Sequence, residues 1–166
     1  MRDKGRLLAA AMLFAGCTDH QYPEGSATVS GTLSGSAFSA MDAYSLTNRD
    51  NGAVGIDIFD FSGACALGAN EKASSRTLGI ISRIPAVSSG TYDVTTDLYV
   101  QYVARDATCG ASIQETATAG TVTFSRIDAS GIKGTFDVTF SAGEVTGMFD
   151  APTCVGPPIG KVIECK

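Results

Sequence analysis

Ile132-Lys133-Gly134-Thr135-Phe136-Asp137-Val138-Thr139-Phe140 decides the fold of this 166-residue chain. Ile132, Phe136, Val138 and Phe140 fall on one side of an extended backbone, and Lys133, Thr135, Asp137 and Thr139 fall on the other. Side chains of a strand alternate between its faces, so this spacing describes a strand with one packed face and one wet face, the pattern of antiparallel sheet. Gly90 to Val103 repeats it at greater length and reads as a single strand. Tyr92, Val94, Leu98, Val100 and Tyr102 point one way, with Asp93, Thr95, Asp97 and Gln101 opposite.

The same period extends in both directions. Ala27, Val29 and Leu33 alternate with Thr28, Ser30 and Thr32, and Phe38 to Leu46 reads as the next strand. Asn48-Arg49-Asp50-Asn51-Gly52 then supplies Asn-Gly, the dipeptide that best tolerates the positive φ angles of a tight hairpin, and Ile56 to Phe61 returns. Thr77 to Ile84 is apolar without a clean period, and its isoleucines and closing Pro85 favour strand over helix. Ala119 to Ile127 and Glu144 to Asp150 flank the opening stretch across short turns. About eight strands and no convincing amphipathic helix predict an all-β fold, an antiparallel two-layer β-sandwich, with a small β-barrel as runner-up. Ser62 to Ser75, rich in Gly, Ala and Ser, reads as a long surface loop with room for one helical turn. Met148 to Lys166, which holds Pro157-Pro158, ends as a surface tail. Gly90-Thr91-Tyr92-Asp93 recurs as Gly134-Thr135-Phe136-Asp137 and, more weakly, as Gly147-Met148-Phe149-Asp150. Glycine, a spacer and an aromatic residue are how a strand commonly starts, a plainer reading than duplication.

The N-terminus gives an address. Arg2, Lys4 and Arg6 precede a nine-residue apolar run, Leu7 to Ala15, too short to span a bilayer, and Phe14-Ala15-Gly16-Cys17 follows from it. This stretch resembles the lipobox of bacterial lipoproteins. The resemblance implies cleavage before Cys17, acyl chains on Cys17 and anchoring to the cell envelope. By the same resemblance, Thr18 points to the outer membrane of a Gram-negative bacterium. Residues 1–16 then form the signal peptide, 17–25 the lipidated cysteine and a tether, and 26–166 a single domain. The stretch ending Gly-Met-Phe-Asp-Ala-Pro-Thr-Cys is also similar to the last hairpin of small exported β-sandwich lipoproteins, a likeness that implies a fold type and no activity.

Removing residues 1–16 takes away three basic residues and one acidic one, leaving nine basic, sixteen acidic and a net charge of −7. That balance disfavours nucleic acid and adsorption to anionic lipid. Four cysteines remain beyond Cys17, namely Cys65, Cys109, Cys154 and Cys165, and an even count in an exported chain reads as two disulfides. Of three connectivities, loop closure favours Cys65–Cys109 with Cys154–Cys165. No pair has the short Cys-x₂₋₄-Cys spacing of a zinc site.

Several chemistries lack their parts. The sole histidine, His20, lies on the tether, which argues against an imidazole base or a histidine-bound metal. No Gly-rich phosphate loop follows a strand, and no cofactor is expected. A two-carboxylate hydrolase has enough acids but no tryptophan to line its cleft. Of the domain's tyrosines, Tyr44, Tyr92 and Tyr102 read as inward, whereas Tyr99 breaks the polar face of its strand as a contact candidate. Asp42 falls on the face of Phe38 and Tyr44. A bulge that re-aims it is the plainer explanation, and the alternative is a partly buried carboxylate in need of donors. Asp50, with Asn48 and Asn51, offers oxygen ligands to calcium, but a tight turn demands the same residues. The leading expectation is a non-enzymatic, membrane-anchored envelope lipoprotein, a structural or protein-interaction module contacting an envelope protein or cell-wall component. The alternative is a small-ligand or ion-binding module using loops after Phe61 and Arg105 at one end of the sandwich.

Overall fold

The computed structural model describes residues 22–47, 51–67, 70–154 and 165–166. Among them, the chain forms β1 (Ser26–Leu33), β2 (Ser36–Ala37), β3 (Asp42–Thr47), β4 (Val54–Phe59), a helical turn α1 (Ala64–Leu67), β5 (Arg76–Ser82) and β6 (Gly90–Asp93). It continues through β7 (Leu98–Arg105), β8 (Ala111–Thr116), β9 (Ala119–Asp128), β10 (Gly131–Phe140) and β11 (Gly143–Pro152). One sheet has six strands in the order β2-β1-β11-β10-β9-β6, and the other has five in the order β3-β4-β5-β7-β8. Neighbours within each sheet run antiparallel, and neither sheet closes into a barrel. The predicted sandwich is therefore the fold, with eleven strands among the described residues rather than about eight.

The inner faces follow from the alternation. Phe136, Val138 and Phe140 of β10 are buried against Ile58, Ile80 and Val100 of the opposite sheet in one core cluster. Fully burying side chains of this size contributes roughly 1.5–3 kcal/mol each, comparable to the entropy lost in ordering them.

Three expectations about strands change. Gly90 to Val103 is not one strand. A turn at Val94–Asp97 splits it into β6 and β7, which belong to different sheets. The Asp93 carboxylate holds that turn by accepting from the Thr95 and Thr96 backbone N–H groups at 2.7 and 3.2 Å. Val94 and Leu98 both stay in the core because the chain crosses between sheets without turning its packed face outward. Phe38 to Leu46 also divides: β3 begins only at Asp42, and Phe38 packs into the core from the connection before it. Finally, Ala111–Thr116 is an edge strand with almost no buried side chain, so it carried no hydrophobic signal.

The disulfides are Cys65–Cys154 and Cys109–Cys165, a correction to the pairing favoured by loop closure. The topology sets the pairing. β11 ends beside β3, where the Cys154 N–H donates to the Ser45 carbonyl at 2.9 Å, and α1 packs on the same strand. Cys65 and Cys154 therefore meet although 89 residues separate them. The last two residues lie along the Glu71–Ala73 segment, with Lys166 N–H to the Glu71 carbonyl at 2.9 Å and Ala73 N–H to the Lys166 carbonyl at 2.7 Å. That brings Cys165 to Cys109 in the turn between β7 and β8.

Candidate functional site

Because Ile56, Ile58, Leu78, Ile80, Val100 and Tyr102 point into the core, their neighbours point out. On the outer face of the five-stranded sheet, the register sets Tyr44 beside Asp57, Asp57 beside Gly79 and Gly79 beside Gln101. Gly79 has no side chain, so this row sinks in the middle, and a Cβ at that position would lie 3.0 Å from Asp57 Oδ1. Phe59 at the end of β4, with Phe61 and Leu67 of the segment that follows, walls the depression. The result is a cleft of about 300 Å³, at the small end of ligand pockets.

Its polar groups are unevenly satisfied. The Tyr44 hydroxyl donates to the Asp57 carboxylate. Burial pushes the Asp57 carboxyl up to about 6, and the Tyr44 hydrogen bond only partly opposes this. The Tyr44 phenol is held well above its ordinary value, first by burial and then by the adjacent Asp57 charge. Two strands away, the buried Gln101 Nε2 has no hydrogen-bond partner. At the far end of the cleft, Arg105 is paired with Glu71 at 2.8 Å, and the Lys72 ammonium lies 5.2 Å from the centre of the Phe61 ring. The cleft thus holds a desolvated acceptor and an unused donor on either side of Gly79, an arrangement suited to holding a polar ligand. Among the described residues, no group of three or more His, Cys, Asp or Glu side chains is placed to hold a metal ion.

The residues singled out in the sequence have separate fates. Cys17 and Asp50 lie outside the described residues, as do the signal segment and His20. Asp42 is no bulge: it starts β3 in regular register opposite Phe59. It is the buried carboxylate of the alternative reading, accepting N–H bonds from Gly25, Ala43 and Ala64 at 2.9, 2.8 and 2.9 Å. Every one of those donors is backbone, which makes Asp42 a structural clamp. Tyr99 sits at the rim of the cleft's sheet, half-buried, with Arg83 5.5 Å from its ring centre and its hydroxyl 3.2 Å from Thr116 Oγ1. Cys65, Cys109, Cys154 and Cys165 are all in disulfides. Tyr102 and Tyr92 pack in or against the core as read, but Tyr44 faces the cleft rather than the interior.

Asp57, Gly79 and Gln101 were missed as site residues. The signal was present in Gly55-Ile56-Asp57-Ile58-Phe59, where a charge shares its face with a glycine and a phenylalanine. The same mixture disrupts the period of Leu78-Gly79-Ile80-Ile81. Of the two loops expected to carry a site, the one after Phe61 borders the cleft, whereas the one after Arg105 does not line it, and the cleft lies on a sheet face rather than at the end of the sandwich.

A second, more open groove of about 400 Å³ runs over the outer face of the six-stranded sheet beside Met148 and Phe149. Its charged groups already satisfy one another, with Asp150 bound by Lys133 at 2.5 Å and by Arg126 at 3.2 Å. No family model matches the chain, and neither a curated protein nor a solved structure is significantly similar to it.

Proposed function

We propose that this protein is a non-enzymatic binding module, exported and anchored to the cell envelope through an acylated Cys17, that uses the cleft on its five-stranded sheet to hold a small ligand. The observation that carries the binding role is the Asp57–Gly79–Gln101 row. The Gln101 amide nitrogen is left without a partner there at a cost of roughly 1–3 kcal/mol, and the Asp57 carboxylate is desolvated in the same row, costs that a ligand would offset. The address rests on the lipobox-like Phe14-Ala15-Gly16-Cys17, and the two disulfides suit an oxidising compartment. Two acyl signals on one cysteine would give stable anchoring without a spanning helix.

Native mass spectrometry of the protein solubilised from its own membrane tests both parts. The expected mass is that of residues 17–166 plus acyl chains, with a small-molecule adduct that a Gly79→Leu variant loses. An unacylated chain beginning elsewhere overturns the anchor, and an adduct that Gly79→Leu retains overturns the cleft as its site.

A further inference from the structure

Resting on that reading, we infer that the cleft takes an uncharged polyhydroxylated ligand of about one sugar ring, with neighbouring hydroxyls held between the Asp57 carboxylate and the Gln101 amide above Gly79. The pairing of acceptor and donor comes first. Asp57 and Gln101 flank Gly79 on adjacent strands, so their backbones stand roughly 10 Å apart, two inter-strand steps. Asp57 leans into the gap, its Oδ1 lying 3.0 Å from where a Gly79 Cβ would be. Gln101 Nε2 is buried and without a partner. A hydroxyl both donates and accepts, so adjacent hydroxyls can donate to the carboxylate and accept from the amide together.

Charge selects against ionic ligands. Asp57 and Glu71 are matched in number by Lys72 and Arg105, so the lining is balanced when all four are ionised. An anion would sit against Asp57. A cation would bring a third positive charge to a pocket where Lys72 already lies over Phe61, and where Arg105 has taken Glu71. An uncharged ligand meets neither penalty. Phe59 and Phe61, with ring centres 5.1 Å apart, supply an apolar wall against which the C–H face of a sugar ring can pack. The volume of about 300 Å³ admits one ring and little more.

The test is an NMR titration of the ¹⁵N-labelled, oxidised full chain. The probes are methyl glucoside, N-acetylglucosamine and myo-inositol as neutral ligands, glucuronate as the anion and glucosamine as the cation. The expected result is saturable shifts of the Asp57, Gly79 and Gln101 amides with a neutral probe. Gln101→Leu, which removes the donor at similar size, and Gly79→Ala, which fills the floor, should each weaken that binding about tenfold. Thermal unfolding of both variants checks that the fold is intact. Stronger saturation by glucuronate or glucosamine overturns the uncharged class while leaving the cleft as the binding site. Shifts that map elsewhere, or no saturable shift with any probe, overturn the ligand class and the cleft together.

Discussion

The ring of Phe136 lies over Gly147, its partner across the β10–β11 ladder. One step along the ladder the arrangement reverses, and Phe149 covers Gly134, where an added Cβ would lie 2.7 Å from the ring's Cζ. The two rings stack with centres 6.5 Å apart. The recurring Gly-x-Phe-Asp of the sequence is therefore a reciprocal fit between facing strands, in which each ring needs the other strand's glycine. Gly147→Ala should destabilise the protein by about 2–3 kcal/mol, as overpacking does in a filled core, and lower the melting temperature by roughly 5–10 °C. Adding Phe136→Leu should recover only part of this, because the new methyl also meets the Thr28 carbonyl. A calorimetric change below about 0.5 kcal/mol for Gly147→Ala would show that the fit is loose.

Asp42 makes a different demand. Its carboxylate collects N–H groups from Gly25 just before β1, from β3 and from the first residue of α1. Asp42→Ala leaves those donors without their acceptor in a buried place, for an expected loss of about 3 kcal/mol or more. Asp42→Asn, which keeps one acceptor oxygen, should fall between the two proteins. Equal denaturation midpoints for Ala and Asn would contradict this.

The cleft carboxyl predicts a pH signature. Asp57 has a folded value of about 6 against an ordinary 3.8, so the folded chain holds its proton more tightly than the unfolded chain does. Its contribution to stability is complete below about pH 4, declines as pH rises and is lost above about 6. The groups around it are Tyr44 from β3, Glu71 and Lys72 from the segment after α1, and Arg105 from β7. Asp57→Asn removes the decline, so the variant should gain about 2–3 kcal/mol over the parent at pH 8 and match it at pH 3.5. Asp93, Asp106 and Asp128 are held below their ordinary values by hydrogen bonds, chiefly from Thr95, Thr108 and Ser130, but they are common to both proteins and cancel in the comparison. Urea melts across this range that shift both proteins in parallel would refute the assignment.

Both disulfides close long loops, with sequence separations of 89 and 56. On the chain-entropy account each contributes about 4–5 kcal/mol before strain is subtracted. Replacing Cys65 and Cys154 together by Ala should lower stability by at least about 2 kcal/mol. The Cys109→Ala/Cys165→Ala pair should also increase hydrogen exchange at the Ala73 amide, whose acceptor is the Lys166 carbonyl. Peptide mapping without reduction must recover Cys65 joined to Cys154. Recovery of Cys65 joined to Cys109 would overturn the topology at β11 and β3.

What could be read in advance follows the physics of each signal. β10 was legible because Phe136, Val138 and Phe140 obey one period with one buried face. The split of Gly90 to Val103 was not, since Val94 and Leu98 keep their parity through the turn and the sandwich buries both. Only Asp93-Val94-Thr95-Thr96, a carboxylate followed by hydroxyl residues, marked the break. Cysteine count gave two bridges, but partner choice depended on β11 lying beside β3, a contact that no local pattern encodes. The cleft was hidden for a related reason. Tyr44, Asp57, Gly79 and Gln101 are dispersed along the chain, and register alone brings them into one row.

The position of β1 also has a mechanical consequence. The chain enters the six-stranded sheet through Gly25 and runs straight into six paired rungs with β11, from Ser26↔Asp150 to Gly31↔Val145. A pull arriving along the strand through the preceding residues meets the Gly25–Asp42 hydrogen bond and then all six rungs at once, loading them in shear rather than peeling them singly. The end of the domain through which such a pull would enter is thus the one whose pairing would resist it collectively.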